Sequence, residues 1–261
     1  MISRKDIDCG KEFDWGLTSE NYAKYRDIYP AEFYKSIVEL GCGTKGQRML
    51  DLATGTGVLP RGMEKYGAKW TGADISENQI KYARLLSEAS GADIDYIASP
   101  AEELDFEAES FDGVTAAQCF MYFKQAVLLP KIHKWLKPGG HFLITIMDWL
   151  PFESEIAMKS EKLILKYNPV WSGCGKKRST PSVPKSAEGL FDAKNIIAYA
   201  TDIPFTSESW NGRIKACRGI EASLTSAEIE KWEAEHKKML AEYPESFKIP
   251  HFITIMDLVK I

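Results

Sequence analysis

The most informative segment of this chain is RMLDLATGTGVLPRGM, at residues 48–63. Its short apolar run is typical of a buried strand, and the run ends near Asp51. Gly55 and Gly57 follow, and glycine lets a backbone pass close to a ligand because it has no Cβ. The next residues are predicted to form a helix that ends at Gly67. The pattern therefore indicates a strand, a tight turn and a helix.

Strands and helices alternate through the first part of the chain. Strands are predicted at residues 48–53, 69–75, 93–100, 110–120 and 141–149, and helices at 58–67, 76–91 and 126–140. This alternation predicts an α/β fold with a doubly wound, Rossmann-like parallel sheet and right-handed crossovers. Elsewhere the sequence predicts helices within 17–40, a helix at 152–167, a loop at 168–186, a strand at 195–205, helices at 207–221 and 226–243, and a last strand at 250–261.

Composition excludes several classes of protein. The 261 residues are 44% hydrophobic and 27% charged, which is ordinary for a folded domain. A formal net charge of −4 gives no basic footprint for nucleic acid. The five cysteines are scattered without metal-site spacing, so reduced thiols and no metal are expected. Because neither a signal peptide nor a membrane-spanning run is found, the sequence predicts a cytoplasmic protein without a membrane partner.

A second carboxylate defines the predicted ligand. Asp74 ends the second strand, where a carboxylate can accept hydrogen bonds from both hydroxyls of a ribose. A dinucleotide site would need a third glycine, but Gly57 is followed by Val58, Leu59 and Pro60. No segment fits a phosphate-binding Walker loop either. A ribose-containing cofactor other than a dinucleotide is favoured, and a dinucleotide oxidoreductase is the weaker alternative.

The motifs resemble those of class I S-adenosylmethionine-dependent methyltransferases that act on small molecules, of the methyltransferase type 11 kind. The resemblance covers residues 20–149 well and 195–261 more loosely, and it rests on LDLATGTGVL, SPAEELDF, FDGVTAAQCFMYF and LKPGGHFLI in order. It implies a seven-stranded, mostly parallel sheet whose last strand is antiparallel, with a helical lid insertion. Ala53 stands where the family has its first motif glycine.

The resemblance also implies a binding role for each motif residue. S-adenosyl-L-methionine would be the cofactor, with its methionine part near Asp51, Ala53, Thr54, Gly55 and Gly57, its ribose on Asp74, its adenine near Ile75, Ala101 and Glu102, and Gln118 at the end of the fourth strand. The segment NYAKYRDIYP, residues 21–30, is similar to the trans-aconitate methyltransferase branch. In that branch Tyr22 and Arg26 close over the cofactor, with Arg26 near the methionine carboxylate.

Four regions are expected from this comparison. Residues 1–47 form N-terminal helices that cover the cofactor, 48–149 form the cofactor-binding core, 150–220 form a lid that faces the substrate and includes a returning strand, and 221–261 add a helix and the final strand. The partner is a small-molecule substrate, and the protein is expected to be a monomer or a homodimer.

The acceptor side of the site is less defined. Tyr122, Trp149 and Arg213 are candidates for the substrate pocket, although Arg213 and Arg218 are expected by default to be solvated on a helix. Relatives often carry Phe-His-Trp after the fourth strand, whereas this chain has Phe120-Met121-Tyr122. No catalytic residue is therefore assigned, the methylated atom stays open among O, N, S and C, and a cofactor-binding regulator without turnover is the alternative function.

Overall fold

The computed structural model describes residues 2–261, and the chain forms two compact units. The first unit comprises the chain up to Ile28 with Asp148–Arg178 and Ala200–Phe252, and the second comprises Tyr29–Met147, Ser179–Tyr199 and Ile253–Ile261. Each unit is therefore assembled from three segments that are distant in sequence.

A seven-stranded sheet has the order β3-β2-β1-β4-β5-β7-β6. Its strands are β1 Arg48–Leu52, β2 Lys69–Asp74, β3 Ile94–Ala98, β4 Phe111–Ala117, β5 Leu136–Trp149, β6 Phe191–Thr206 and β7 Ser246–Lys260. Strand β1 is parallel to β2 and β4, and the next neighbours β3 and β5 are parallel as well. The predicted mostly parallel sheet with an antiparallel last strand is confirmed.

In the second unit one helix precedes the sheet and three follow strands β1, β2 and β4. They are α2 Ala31–Glu39, α3 Val58–Met63, α4 Glu77–Ser90 and α5 Gln125–Trp135. Helix α4 begins where the Ser76 hydroxyl accepts a hydrogen bond from Gln79 N, and it ends at left-handed Gly91. Gly67 likewise closes the turn after α3, as predicted. Leu50, Val114 and Phe142 are fully buried and belong to one core cluster with Leu128 and Ile132 of α5.

The predicted end of helix α5 was wrong. The segment 126–140 is predicted as a helix closed by Pro138, Gly139 and Gly140, with a strand from residue 141, but the helix ends at Trp135 and β5 begins at Leu136. Pro138 disfavours helical backbone at the preceding residue and cannot donate a helix hydrogen bond. The extra residues are absorbed by a register shift between Phe111 and Gly113 of β4.

The first unit is mainly helical. It contains α1 Ser19–Tyr25, α6 Glu155–Tyr167, α7 Ser207–Lys215 and α8 Ser226–Leu240. Helix α8 begins with a capping box, since the side chains of Thr225 and Glu228 each accept a hydrogen bond from the other's backbone N–H. Gly212 lies against the ring of Tyr25, where a Cβ would be 2.1 Å from the nearest ring carbon. Trp210 is fully buried in this unit.

Candidate functional site

The glycine turn after β1 has a left-handed backbone. Ala53 has a φ of 50°, Gly55 of 58° and Gly57 of 74°. Thr54 N donates to the Ala73 carbonyl at 2.9 Å, which holds the turn against the end of β2. Left-handed backbone is costly for residues with a Cβ, so Ala53 marks a position that the surrounding structure determines.

Asp74 connects the turn to the end of β2. One carboxylate oxygen accepts a hydrogen bond from Gly55 N, and the other accepts one from Ser76 N, both at 2.9 Å. Burial raises the pKa of Asp74, while these two N–H donors oppose the rise. Each carboxylate oxygen has a second lone pair, so the group retains acceptor capacity for a ribose. The arrangement fits the nucleoside that the sequence predicts.

Asp51 lies beneath the turn in the core. Its carboxylate accepts a hydrogen bond from the Thr115 hydroxyl at 2.5 Å, and only 2% of the residue is exposed. Burial raises the pKa of Asp51 to about 7, and the nearby charge of Asp74 adds to the rise. Asp51 therefore lies in the core below the glycine turn, where its hydrogen bond to Thr115 connects β1 with β4.

An apolar side chain stands beside Asp74. Ile75 is 53% exposed, although it is a large hydrophobic residue. After the neighbouring strand β3, Ala101 is buried, and the Glu102 carboxylate accepts a hydrogen bond from Lys124 N at 2.7 Å. An exposed isoleucine at this edge is suited to packing against a flat base, as the family resemblance implies for adenine.

Gln118 directly follows β4 and has a left-handed backbone. Its φ is 65°, its N–H donates to the Thr145 carbonyl at 2.9 Å, and its Nε2 donates to the Met147 carbonyl at 2.6 Å. Two residues of β5 thus hold this turn. Tyr122 lies in the following short helix, where it is half-buried and packs against the core cluster of the second unit.

Four of the predicted site residues belong to the first unit. The guanidinium carbon of Arg26 lies 4.4 Å from the centre of the Tyr22 ring. The guanidinium carbon of Arg213 lies 4.9 Å from the centre of the Trp149 ring. Each pair is a cation–π contact. The structure therefore brings the predicted residues together in two pairs within this unit.

The expectation of solvated arginines on α7 and after it was wrong. Arg213 is 4% exposed and Arg218 is 9% exposed. Arg218 donates to both oxygens of Asp8, at 2.7 and 2.9 Å, and Asp8 also accepts from Ser172. Burial opposes the effect, but these donors hold the pKa of Asp8 below its usual range. Asp8 is 210 residues from Arg218, so local sequence could not show the pair.

The sequence did not predict two carboxylates that lie near Trp149. Glu161 accepts a hydrogen bond from Trp149 Nε1 at 2.8 Å and one from Gly175 N at 2.9 Å. Asp148 is half-buried, and burial raises its pKa against the opposing charges of Lys176 and Arg213. The sequence ITIMD occurs at residues 144–148 and again at 253–257, but the repeat fits two core strands and gave no signal for Glu161.

Within residues 2–261, no group of three or more His, Cys, Asp or Glu side chains is arranged to hold a metal ion. No helix in the same range is both long and apolar enough to cross a membrane.

Comparisons with known proteins give the same assignment as the fold and the turn. A family described as a methyltransferase domain matches residues 50–144. A ubiquinone biosynthesis O-methyltransferase of Roseobacter denitrificans is 32% identical over 191 residues, which cover 71% of this chain and 74% of that protein. The chain therefore belongs to the class I S-adenosylmethionine-dependent methyltransferases, a family whose cofactor is S-adenosylmethionine.

The extent of the similarity varies among relatives. The protein of the same description from Dinoroseobacter shibae is 33% identical over 138 residues, and the chain spans 56% of its length. Among solved structures, the YcgJ protein of Bacillus subtilis aligns over 88% of this chain and 99% of its own, with a TM-score of 0.53 and 17% identity. Phosphoethanolamine N-methyltransferase 2 of Haemonchus contortus aligns over 93% of this chain and 57% of its own, with a TM-score of 0.52 and 19% identity. These structures support the fold alone.

Proposed function

We propose that this protein transfers a methyl group from S-adenosylmethionine to a hydroxyl oxygen of a small molecule. The observation that carries the proposal is the Asp74 carboxylate, which is bonded to the glycine turn and retains acceptor capacity at the end of β2. Oxygen as the acceptor atom is supported by relatives that are described as O-methyltransferases and are 31–33% identical over at least part of this chain.

Charged and apolar side chains would together hold the cofactor. Asp74 would accept from the ribose hydroxyls, and Ile75 would stack on the adenine. The remaining second-unit contacts would come from Asp51, Ala53, Thr54, Gly55, Gly57, Ala101, Glu102 and Gln118. We further propose, from the sequence resemblance, that Arg26 binds the methionine carboxylate with Tyr22 beside it, and that residues 1–47 and 150–220 serve as cover and lid.

Methyl transfer asks little of the protein beyond positioning. When bound, the cofactor supplies a methyl group that its sulfonium already activates. The chain must hold the acceptor oxygen in line, exclude water and take up a proton if the acceptor is protonated. Trp149, Tyr122 and Arg213 are proposed to shape the acceptor pocket.

Two measurements test the function separately. Calorimetry with S-adenosylhomocysteine tests cofactor binding, and incubation of the wild-type protein with labelled S-adenosylmethionine and a panel of hydroxylated metabolites tests turnover. We expect binding and a methylated product that retains the acceptor's carbon skeleton. Binding without product from any acceptor in the panel would contradict methyl transfer to oxygen and favour the regulator, and absence of binding would contradict both functions.

A further inference from the structure

Residues 2–14 form a loop that is closed by its own backbone. Ile2 and Phe13 pair as an antiparallel bridge, with N–O distances of 2.8 and 3.0 Å. Within this loop, here called the strap, Asp8 and Cys9 have φ values of 48° and 53°. Left-handed backbone is costly for residues with a Cβ, so contacts between the strap and the rest of the first unit must maintain this conformation.

The Asp8 side chain provides such contacts. Only 2% of the residue is exposed, and its two oxygens accept hydrogen bonds from the Arg218 guanidinium at 2.7 and 2.9 Å. Asp8 Oδ1 also accepts from Ser172 N at 2.7 Å and from Ser172 Oγ at 2.8 Å. Arg218 Nη2 in turn donates to Ser172 Oγ at 3.0 Å. Asp8 therefore joins the strap to two segments that are 164 and 210 residues away in sequence.

The loop that contains Ser172 is also held on both sides of this residue. Before it, Asn168 Nδ2 donates to the Gly219 carbonyl at 3.0 Å. After it, Gly175 N donates to the Glu161 carboxylate at 2.9 Å. Because Ser172 lies between these two attachments, its hydrogen bonds to Asp8 hold the middle of the loop.

Trp171 precedes Ser172 in this loop and packs on Trp149. The two rings are buried and stacked, with their centres 6.4 Å apart and their planes 27° from parallel. Trp149 Nε1 also donates to Glu161 at 2.8 Å, and the guanidinium carbon of Arg213 lies 4.9 Å from the centre of its ring. Three side chains therefore hold Trp149, and the strap positions one of them, Trp171.

The strap is thus connected to residues of the proposed acceptor pocket by contacts that all lie within the first unit. We propose that Asp8 is a positioning residue for the methyl transfer, because through Ser172 it holds Trp171 against Trp149 and so maintains the acceptor side of the site. The inference rests on the proposed function. A small displacement far from the reacting atoms slows such a reaction, because the acceptor must lie in line with the methyl group.

The first test measures the packing of Trp171 and requires no turnover. Near-ultraviolet circular dichroism reports side-chain packing, and the difference between the wild-type protein and Trp171→Phe isolates the signal that depends on Trp171. Asp8→Gly removes the side chain without straining the backbone, so it is expected to lose most of that signal. Asp8→Asn keeps an acceptor oxygen for Ser172 and should lose less. Lys215→Met, which breaks the partly buried ion pair with Glu233 in the same unit, is the matched control and keeps the signal.

The second test measures kinetics with the hydroxylated metabolite that the wild-type protein methylates fastest. Asp8→Gly is expected to lower kcat/KM for this acceptor roughly 10- to 100-fold, with an unchanged Kd for S-adenosylhomocysteine. Asp8→Asn should recover part of the activity. If Asp8 acts through Trp171, Asp8→Gly should cause a smaller loss when it is introduced into Trp171→Phe, because changes that act on one element are not additive.

Ser172→Ala provides a second variant if Asp8→Gly does not fold. A buried arginine that has lost its carboxylate partner is strongly destabilising, whereas Ser172→Ala keeps the ion pair between Arg218 and Asp8. It removes the hydroxyl that contacts both of these side chains. Smaller losses in the same direction are expected in both tests.

The outcomes separate the two proposals. An unchanged Trp171 signal in Asp8→Gly and Ser172→Ala, or a lost signal with unchanged kcat/KM, would overturn the inference and leave the methyltransferase function standing. An equal loss of signal in Lys215→Met would also overturn it, because general destabilisation would then explain the result. A wild-type protein that methylates no hydroxyl acceptor would contradict the proposed function, and the circular dichroism would still decide whether Asp8 positions Trp171.

Discussion

A single carboxylate, that of Asp74, links the backbone of two chain turns. Its bonds to Gly55 N and Ser76 N fix the glycine turn after β1 and the start of α4 in one geometry. These hydrogen bonds fix the orientation of the carboxylate before a ligand binds. A ribose could therefore bind without the entropy loss of ordering the Asp74 side chain. The same bonds explain how the carboxylate stays buried at 7% exposure.

Replacement of Asp74 by asparagine tests this double role. The amide NH₂ of Asp74→Asn would face one of the two backbone N–H donors, and the charge would be lost. Hydrogen bonds to charged groups contribute about 1.5–3 kcal/mol, so the Kd for S-adenosylhomocysteine is expected to rise about 10- to 100-fold. Calorimetry measures the change, with Asp95→Asn on the exposed face of β3 as the control. Equal Kd values in the two variants would refute the assignment.

Gly57 is constrained in two ways at once. Its φ is 74°, and a Cβ there would lie 2.1 Å from Tyr96 Oη, whereas a Cβ at left-handed Gly91 would meet nothing within 4 Å. Gly91→Ala should therefore cost only the left-handed strain of about 1–2 kcal/mol, and Gly57→Ala should cost more. Urea unfolding measures both.

The Tyr96 hydroxyl provides a control for the Gly57 prediction. Removing it in the double variant Gly57→Ala/Tyr96→Phe is expected to recover part of the lost stability, although Tyr96→Phe also removes a hydrogen bond to Ser87. Equal costs for Gly57→Ala and Gly91→Ala would show that Tyr96 moves aside without penalty.

For helices and strands, the sequence predicted those element ends that neighbouring residues determine. Ser76 and Thr225 are polar residues directly before predicted helices and they cap those helices, and Gly67 and Gly91 end the helical segments before them. The end of α5 was missed because the strand beyond it is stabilised by pairing with β4, which the local sequence does not report. Likewise, the burial of Arg218 depends on Asp8, from a distant segment.

The capping box of α8 gives a prediction for a single element. In Thr225→Val the side-chain acceptor for Glu228 N is lost at nearly constant volume. Loss of an N-cap costs about 1 kcal/mol, which corresponds to a fall in Tm of about 2–4 °C for a chain of this size. Ser226→Ala, at the adjacent exposed position, is the control in thermal unfolding. A Tm that falls equally in both variants would argue against the cap.

For the whole molecule, the cofactor half of the site was more predictable than the acceptor half. The turn and Asp74 follow one another closely along β1 and β2, so spacing alone indicated them. The carboxylates near Trp149 lie in a segment whose partners come from other parts of the chain, and only the structure distinguishes Asp148 from Asp257. The two aspartates end the same five-residue sequence, ITIMD, but their hydrogen bonding differs.

Two buried histidines make the stability of the protein depend on pH. Burial lowers the pKa of His236 and of His251 to about 3, and the charges of Arg213 and Arg26 lower that of His251 further. Unfolded histidine titrates near pH 6.5, so between about 3 and 6.5 the unfolded chain binds protons that the folded chain does not. The stability from each histidine is therefore complete above about pH 6.5 and is lost as the pH falls.

A comparison of slopes isolates one of these histidines. Asp51, whose pKa is raised to about 7, acts in the opposite direction, so the wild-type slope alone is ambiguous. His251→Phe keeps an aromatic ring against Phe205 and removes one titrating group. The slope of the unfolding free energy against pH should therefore fall by about 1.4 kcal/mol per pH unit between pH 4 and 6. Phe205→Leu disturbs the same stack but should keep the wild-type slope. Urea unfolding across this range measures both, and a slope unchanged by His251→Phe would mean that the histidine is already protonated in the folded protein.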